Sequence, residues 1–215
     1  MKKSVAISIL CVCFLCVPSF ADPEESTPDV AQYFPLDQGR WWAYVEPRSE
    51  DTFTLEVDGT KEICGKKCVR VVGSDGTEFY FTGGEKGLLQ TRAVYPDGYV
   101  VDFCPPLELS PAQAYPGTEA CVKPFEGDIK KGRGVSKGWY LFVVEEVTKL
   151  KVPAGTFENC LRMTLLSHAY GDPRSAGVLK REIVWYAPNV GIVKWLKPDS
   201  GLLLVLEDYS HSESD

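Results

Sequence analysis

The sequence predicts an all-β protein, an antiparallel meander of about 10–12 strands that forms a strongly curved half-barrel or a barrel-like sheet. Runs of aromatic and β-branched residues recur along the chain, each bounded by Gly, Pro, Asp or Ser. No stretch beyond the N-terminal leader carries the periodicity of an amphipathic helix. The runs also repeat in the same order in the two halves of the chain. A meander of this length covers its edges by curving or by closing, and both arrangements are open at this point.

The N-terminal residues 1–21 predict a secretory signal peptide. Lys2 and Lys3 form a positive region, an apolar run follows, and the small residues Ser19 and Ala21 suit a cleavage site. The apolar run is too short to span a bilayer, and no second run occurs, so no transmembrane segment is expected. The alternative is a lipoprotein signal ending at Cys13, but the bulky Val12 stands where such signals carry a small residue. We expect an exported protein, periplasmic or extracellular, without a lipid anchor.

The remaining chain is expected to form one domain. Residues 22–32 predict a disordered N-terminal segment, residues 33–209 a single all-β domain, and residues 210–215 a disordered tail. The domain divides into repeat units at about 33–103 and 118–209. "GRWWAYVE" at Gly39 is echoed by "GWYLFVVEE" at Gly138, and "CVRV" at Cys68 is echoed by "CLRM" at Cys160. The proline-rich residues 104–117 would connect the two units.

The strands can be taken in order from their residues and the turn residues between them. In the first unit they are "RWWAYVE", "TFTLEV", "KCVRVV", "TEFYFT", "KGLLQTRAV" and "GYVVDF". In the second unit they are "GWYLFVVEEV", "CLRMTLLS", "VLKREIVWYA", "GIVKWL" and "GLLLVLEDY". Turn sequences such as "PAG", "APNVG" and "KPDSG" separate the second set. The pattern therefore consists mainly of hairpins.

The segment "VPAGTFENC" predicts a turn followed by a strand. Pro153 pre-sets the first turn position, and Gly155 can adopt the left-handed conformation that completes a hairpin. Strand alternation then puts Cys160 on the side opposite Leu161 and Met163, off the most apolar face. His168 would lie about 27 Å away along an extended strand, too far for a catalytic pair. Cys160 is therefore predicted to be a half-buried structural thiol or an unrecognised disulfide partner.

The charge balance argues against a nucleic-acid partner. The chain has 23 basic and 30 acidic residues, with a formal net charge of −7. A negative protein without a basic stripe does not favour polyanions or anionic membrane surfaces. The one basic stretch, "IKKGRGVSK" at residues 129–137, is predicted to be a solvated loop, and an anion-binding lid is the alternative.

Five cysteines follow the signal peptide, and an oxidising compartment favours their pairing. Cys104 and Cys121 bracket the proline-rich connection and are predicted to form a disulfide. Cys64 and Cys68 flank a short "GKK" segment and would face each other across a hairpin. Cys160 would be left over. Neither a metal site nor a cofactor is expected, because the chain has two histidines and no repeated ligand spacing.

No motif specifies a reaction, so the protein is not expected to be an enzyme. Residues 134–138 match the G-x-S-x-G elbow of hydrolases. That motif requires a strand before it and a helix after it, whereas here a strand-forming run follows. We interpret the match as chance. A hydrolase is the least favoured of three functional classes, and no catalytic residue is assigned.

Three further motifs carry a family resemblance. "YFPLDQGRWWAYV", "VPAGTFENCLRM" and "WYAPNVGIVKW" resemble the recurring signatures of exported bacterial proteins of unknown function, called hypothetical lipoproteins or TapB-like proteins. The resemblance implies an envelope protein with an antiparallel β fold, loosely comparable to the half-barrel of periplasmic lipoprotein carriers. It brings no catalytic residues. The lipobox carried by many members is missing from this chain.

The leading functional prediction is a non-catalytic protein that binds or carries an apolar or amphipathic ligand, such as a lipid or another apolar small molecule. A curved sheet with apolar residues on both faces has a concave side that can be filled or can form a pocket. The alternative is a structural or protein-interaction module with a partner in the envelope. Aromatic residues at corresponding points of the two units are the predicted ligand-binding residues: Trp42, Tyr44, Tyr80, Tyr140, Trp185 and Trp195. About half of them are expected to be core.

Overall fold

A computed structural model describes residues 30–84, 87–110, 116–117, 123–129, 134–170 and 179–210. The predicted signal peptide, most of the 22–32 segment, Cys121 and the end of the tail lie outside the described residues. A 3₁₀ helix at Val30–Tyr33 precedes twelve strands. The strands are β1 Trp41–Val45, β2 Thr52–Ile63, β3 Lys66–Gly73, β4 Glu78–Gly84, β5 Gly87–Val94, β6 Val100–Ser110, β7 Lys123–Ile129, β8 Gly134–Val152, β9 Gly155–Tyr170, β10 Leu179–Ala187, β11 Gly191–Lys197 and β12 Leu202–Tyr209.

The twelve strands form a closed barrel in which every strand pairs antiparallel with its neighbours in the chain. The barrel closes where β1 pairs with β12, from Trp42 opposite Tyr209 to Val45 opposite Val205. The predicted all-β meander is therefore confirmed, and it closes instead of remaining an open half-barrel. Closure pairs both outermost strands, so their backbone N–H and C=O groups are satisfied within the sheet.

Residues that precede β1 fill the interior of the barrel at one end. The Phe34 ring packs against Trp42 on β1, Phe81 on β4 and Tyr186 on β10. These strands lie on different sides of the barrel, so a side chain that contacts all three is inside it. The Tyr33 hydroxyl donates a hydrogen bond to the carbonyl oxygen of Asn159. We call this the plugged end.

The 3₁₀ helix is the one helix among the described residues. No helix in that part of the chain is long and apolar enough to cross a membrane.

The predicted connection at 104–117 is wrong in its first half, because β6 continues to Ser110. The register between β5 and β6 jumps from Arg92 opposite Asp102 to Gln90 opposite Leu107. Pro105 and Pro106 lie in this irregular stretch, where no ladder hydrogen bond requires their missing N–H. Strand β7, "KPFEGDI", was not predicted because Pro, Gly and Asp disfavour strands. It forms by pairing with both β6 and β8.

The long strand β8 also corrects the predicted loop at residues 129–137. It begins at Gly134, and Lys137 forms an ion pair with Glu126 on β7. The G-x-S-x-G match at residues 134–138 therefore lies within a strand and does not form the strand–turn–helix elbow.

The turn predicted at "VPAG" is present. Pro153 and Ala154 form it, Val152 pairs with Gly155, and Gly155 has φ +142°. Beyond the turn, the predicted position of Cys160 is wrong: its side chain is fully buried in the main core. The backbone explains the error, because Asn159 is left-handed at φ 54° and the β8–β9 register shifts nearby. Such an irregularity changes which face the following residues occupy.

Candidate functional site

The end of the barrel opposite the plug carries a group of acidic residues on three neighbouring turns. In a meander every second turn lies at the same end, so the β1–β2, β3–β4 and β5–β6 turns are neighbours in space. These turns supply Glu46, Asp51, Asp75 and Asp97, which we call the acidic mouth. The β11–β12 turn lies at the same end.

A cavity of about 690 Å³ opens at the acidic mouth. This volume lies within the range of about 300–1,000 Å³ that is usual for small-molecule sites. All four carboxylates of the mouth line it, together with Lys197. Its wall is mostly apolar and includes Phe53 and Leu55 from β2, Phe79 from β4, Trp195 from β11, and Leu202 and Leu204 from β12.

The apolar wall follows from the alternation of side chains along the strands. Phe53 and Leu55 are two residues apart, as are Leu202 and Leu204, so each pair points to the same side of the sheet. Leu55 and Leu204 are buried, whereas Phe53 and Leu202 nearer the mouth are partly exposed. The side chains that line the cavity therefore become less exposed and more apolar with depth. Carboxylates lie at the opening, and Leu55 and Leu204 lie at the bottom.

Trp195 is the one residue of the predicted aromatic set that lines this cavity. Its indole N–H donates a hydrogen bond to Oε2 of Glu182 at 3.0 Å. The Nζ of Lys197 lies 4.2 Å from the centre of the Trp195 ring and 3.7 Å from Oε1 of Glu182. Glu182 thus holds both side chains, which fixes the indole face that forms part of the wall.

Trp42 and Tyr44 belong to the main core, not to the cavity wall. The Trp42 indole N–H donates to the carbonyl oxygen of Val190, and the Tyr44 hydroxyl donates to that of Ile192. Complete burial, with Tyr186 nearby as a lesser cause, raises the pKa of Tyr44 far above its usual value. This part of the barrel is packed by the residues of the plugged end.

The other three predicted aromatics are also buried outside the cavity. Tyr140 packs with Phe142 and the residues near Tyr33. Tyr80 lies in a small separate cluster, and its hydroxyl donates to Glu78 at 2.5 Å. Trp185 follows Val184, whose cross-strand partner is Trp195, so Trp185 points away from the cavity side of the sheet.

Glu46 is the acidic residue most enclosed by the protein at this site. Alternation along β1 and into its turn puts Trp42, Tyr44 and Glu46 on the inner face, and Glu46 is only 9% exposed. Its Oε2 accepts hydrogen bonds from the backbone N–H groups of Ser49 at 2.6 Å and Arg48 at 3.0 Å. Chiefly because of the Ser49 N–H bond, the pKa of Glu46 is lowered from its usual value. Glu46 is therefore an inward-facing carboxylate, ionised at neutral pH.

The cysteines do not form the predicted hairpin pair. Cys64 and Gly65 make the β2–β3 turn, and the cross-strand partner of Cys68 is Lys61. Cys64 is an exposed free thiol and Cys68 a fully buried one. Cys104 is exposed on β6. Because Cys121 lies outside the described residues, the Cys104–Cys121 disulfide stays a prediction.

Cys160 lacks the properties of a nucleophile. It is completely buried, and this burial raises its thiol pKa to about 11. A reactive cysteine needs a lowered pKa and access to its substrate. The finding agrees with the prediction of a structural thiol, although its burial is deeper than expected.

Sequence reasoning missed the acidic mouth and selected mainly core aromatics. Asp51, Asp75 and Asp97 lie among the turn residues between the predicted strands, where aspartate is common for local backbone reasons. The order of the strands could have revealed the acidic mouth. In an uninterrupted meander every second turn lies at the same end, so acidic residues in those turns lie close together.

Comparisons with known proteins give structural neighbours without a family. No family model matches the sequence, and no curated protein matches it. A candidate lipoprotein from Parabacteroides distasonis is similar over 83% of this chain and 98% of its own, with 15% identity and a TM-score of 0.44. A candidate exported protein with a YmcC-like fold from Bacteroides fragilis covers 83% and 99%, with 14% identity and a TM-score of 0.37. The TapB-like resemblance stays a prediction.

Proposed function

We propose that this protein is an exported, non-catalytic β-barrel that binds an apolar or amphipathic small molecule in the cavity behind the acidic mouth. The observation that carries the proposal is the open cavity of about 690 Å³ at one end of the barrel. At the plugged end, by contrast, the space beneath Tyr33 and Phe34 is only about 10 Å³. The protein fills one end of the barrel with its own aromatic residues and leaves the other accessible.

The wall and rim of the cavity fit a molecule with an apolar body. Phe53, Leu55 and Phe79 offer apolar area that a ligand would remove from water, at about 25 cal/mol per Å² buried. The Trp195 ring is already ordered by Glu182, so a ligand stacking on it loses little side-chain entropy. The polar groups lie at the opening, where the polar end of an amphipathic ligand would remain.

Titration with the neutral fluorophore N-phenyl-naphthylamine tests this function. We expect a saturable fluorescence increase with one site per chain, reversed by long-chain amphiphiles that compete for the cavity. The expected dissociation constant is in the micromolar range, which corresponds to a binding free energy of about −8 kcal/mol. Such an affinity is usual for a moderately sized apolar ligand. A linear, non-saturating signal equal to that of a heat-unfolded sample would contradict the proposal.

A second candidate function, an interaction module of the envelope, is favoured by one observation. Tyr170 at the end of β9 and Leu179 at the start of β10 are 49% and 52% exposed. Trp139 and His168 stack beside them at a ring distance of 6.0 Å, and the register puts these side chains on one face. Exposed apolar groups on an outer face are typical of protein contacts. This candidate becomes the better account if the cavity binds nothing.

A further inference from the structure

We propose that the cavity selects amphipathic ligands with a cationic amine head group, and that the Glu46 carboxylate binds this group. The inference rests on the proposed function, because it names the ligand class of the same cavity. The inference is supported by the position, burial and hydrogen-bond partners of the Glu46 carboxylate and by the charges of the residues around it.

One oxygen of Glu46 has hydrogen-bonding capacity left over. The other oxygen, Oε2, is used by the N–H groups of Arg48 and Ser49, which hold the carboxylate in place. Oε1 is buried and has no hydrogen-bond partner among the residues that the structure describes, while the Ser49 hydroxyl and the Arg48 guanidinium lie close enough to help lower the pKa of the Glu46 carboxyl group. Glu46 lines the cavity. A buried carboxylate oxygen without a donor is unfavourable, so a ligand N–H at this point would gain more than it would at an exposed carboxylate.

The neighbouring charges favour a cation over an anion at this point. Asp51, Asp75 and Asp97 line the same opening as Glu46. In the part of the chain that the structure describes, Lys197 is the one cation lining the cavity, and it is already engaged by Glu182 and by the Trp195 ring. Arg48 also lies near Glu46, and its Nη1 is directed to the β11–β12 turn, 3.7 Å from where a Cβ of Gly201 would stand. Among the described residues at the opening, the four carboxylates therefore outnumber the cations.

The geometry also sets the order of the ligand's parts. Glu46 lies at the end of β1, whereas Leu55 and Leu204 are deeper and buried. An amine at Glu46 would thus place its apolar tail on the apolar wall. A carboxylate-headed lipid in the same orientation would place its charge beside four acidic groups, which is repulsive at short range.

Competition with three amphiphiles of equal chain length tests the inference. The three compounds are dodecylamine, dodecanol and dodecanoate, and each is titrated against N-phenyl-naphthylamine bound to the wild-type protein, at concentrations below those at which it aggregates. We expect dodecylamine to bind about tenfold or more tightly than dodecanol, as a charge-assisted hydrogen bond predicts, and dodecanoate to bind most weakly. In Glu46→Gln the ratio of dodecylamine to dodecanol affinity should fall to near unity. The folded state, checked by circular dichroism, should be retained because the amide oxygen still accepts the turn N–H groups.

Glu56→Gln is the matched control, since it removes the same charge from an exposed position on β2. It should leave the amine preference of the wild type unchanged. Equal affinities for dodecylamine and dodecanol, or a preference that survives Glu46→Gln, would overturn the inference while the cavity function stands. Failure of the fluorophore and of all three amphiphiles to bind would instead overturn the proposed function, and the inference with it.

Discussion

Replacing Trp42 by alanine is expected to lower the free energy of unfolding by about 3–5 kcal/mol, as measured by denaturant unfolding. Trp42 is 3% exposed, stacks on Phe34, and donates its indole N–H to the Val190 carbonyl oxygen. Gly191 approaches the indole so closely that a Cβ there would stand 3.1 Å from Nε1. The substitution therefore leaves a large cavity and an unpaired acceptor in the part of the barrel that holds the plug.

Trp41→Ala provides the matched control for this prediction. Trp41 is the preceding residue on β1, and its side chain points to the opposite face and is 36% exposed. Its replacement should cost less than about 1 kcal/mol. If Trp41→Ala proved as destabilising as Trp42→Ala, the assignment of the inner and outer faces of β1 would be wrong.

Replacing Leu202 by tryptophan is expected to weaken binding of N-phenyl-naphthylamine by about tenfold. Leu202 lines the cavity near its opening and is partly exposed, so a larger ring can be accommodated there without disturbing the core. A ring in this position would deny the ligand roughly 60 Å² of apolar contact, and at about 25 cal/mol per Å² that corresponds to tenfold in affinity. The fluorescence titration described above measures it.

Leu203→Trp is the control for this variant. Leu203 is the next residue on β12, faces the opposite side of the sheet, and pairs with Leu196. The Leu203→Trp variant should bind the fluorophore with the same affinity as the wild type. Equal losses in the two variants would show that the effect comes from general destabilisation, and unchanged binding in both would place the ligand elsewhere.

Most of the fold could be predicted from the sequence because its signals are local. Aromatic and β-branched runs bounded by turn residues mark eleven of the twelve strands. The exception is β7, where Pro124 and Gly127 weaken the local preference and pairing with two neighbours decides the structure. The sequence does not predict closure for a related reason, because closure depends on β1 pairing with β12 at the far end of the chain.

The candidate site was predicted less well because burial in a barrel depends on position along the axis. Trp42 and Trp195 occupy similar aromatic strands, and alternation points both inward. Phe34 fills the end where Trp42 lies, which makes Trp42 core, whereas Trp195 lies towards the open end and lines the cavity. Cys160 illustrates another limit, since the left-handed Asn159 shifts the alternation that sequence parity assumes.

Amide chemical-shift mapping of the wild-type protein with N-phenyl-naphthylamine tests the central claim most directly. The account predicts that the largest shifts occur at residues of the cavity wall, such as Phe53, Phe79 and Trp195, and that they saturate at one ligand per chain. The amides near Tyr170 and Leu179 on the outer face should change little. Shifts confined to that outer face, or no saturable shifts at all, would contradict the claim that this barrel holds a small molecule in the cavity behind its acidic mouth.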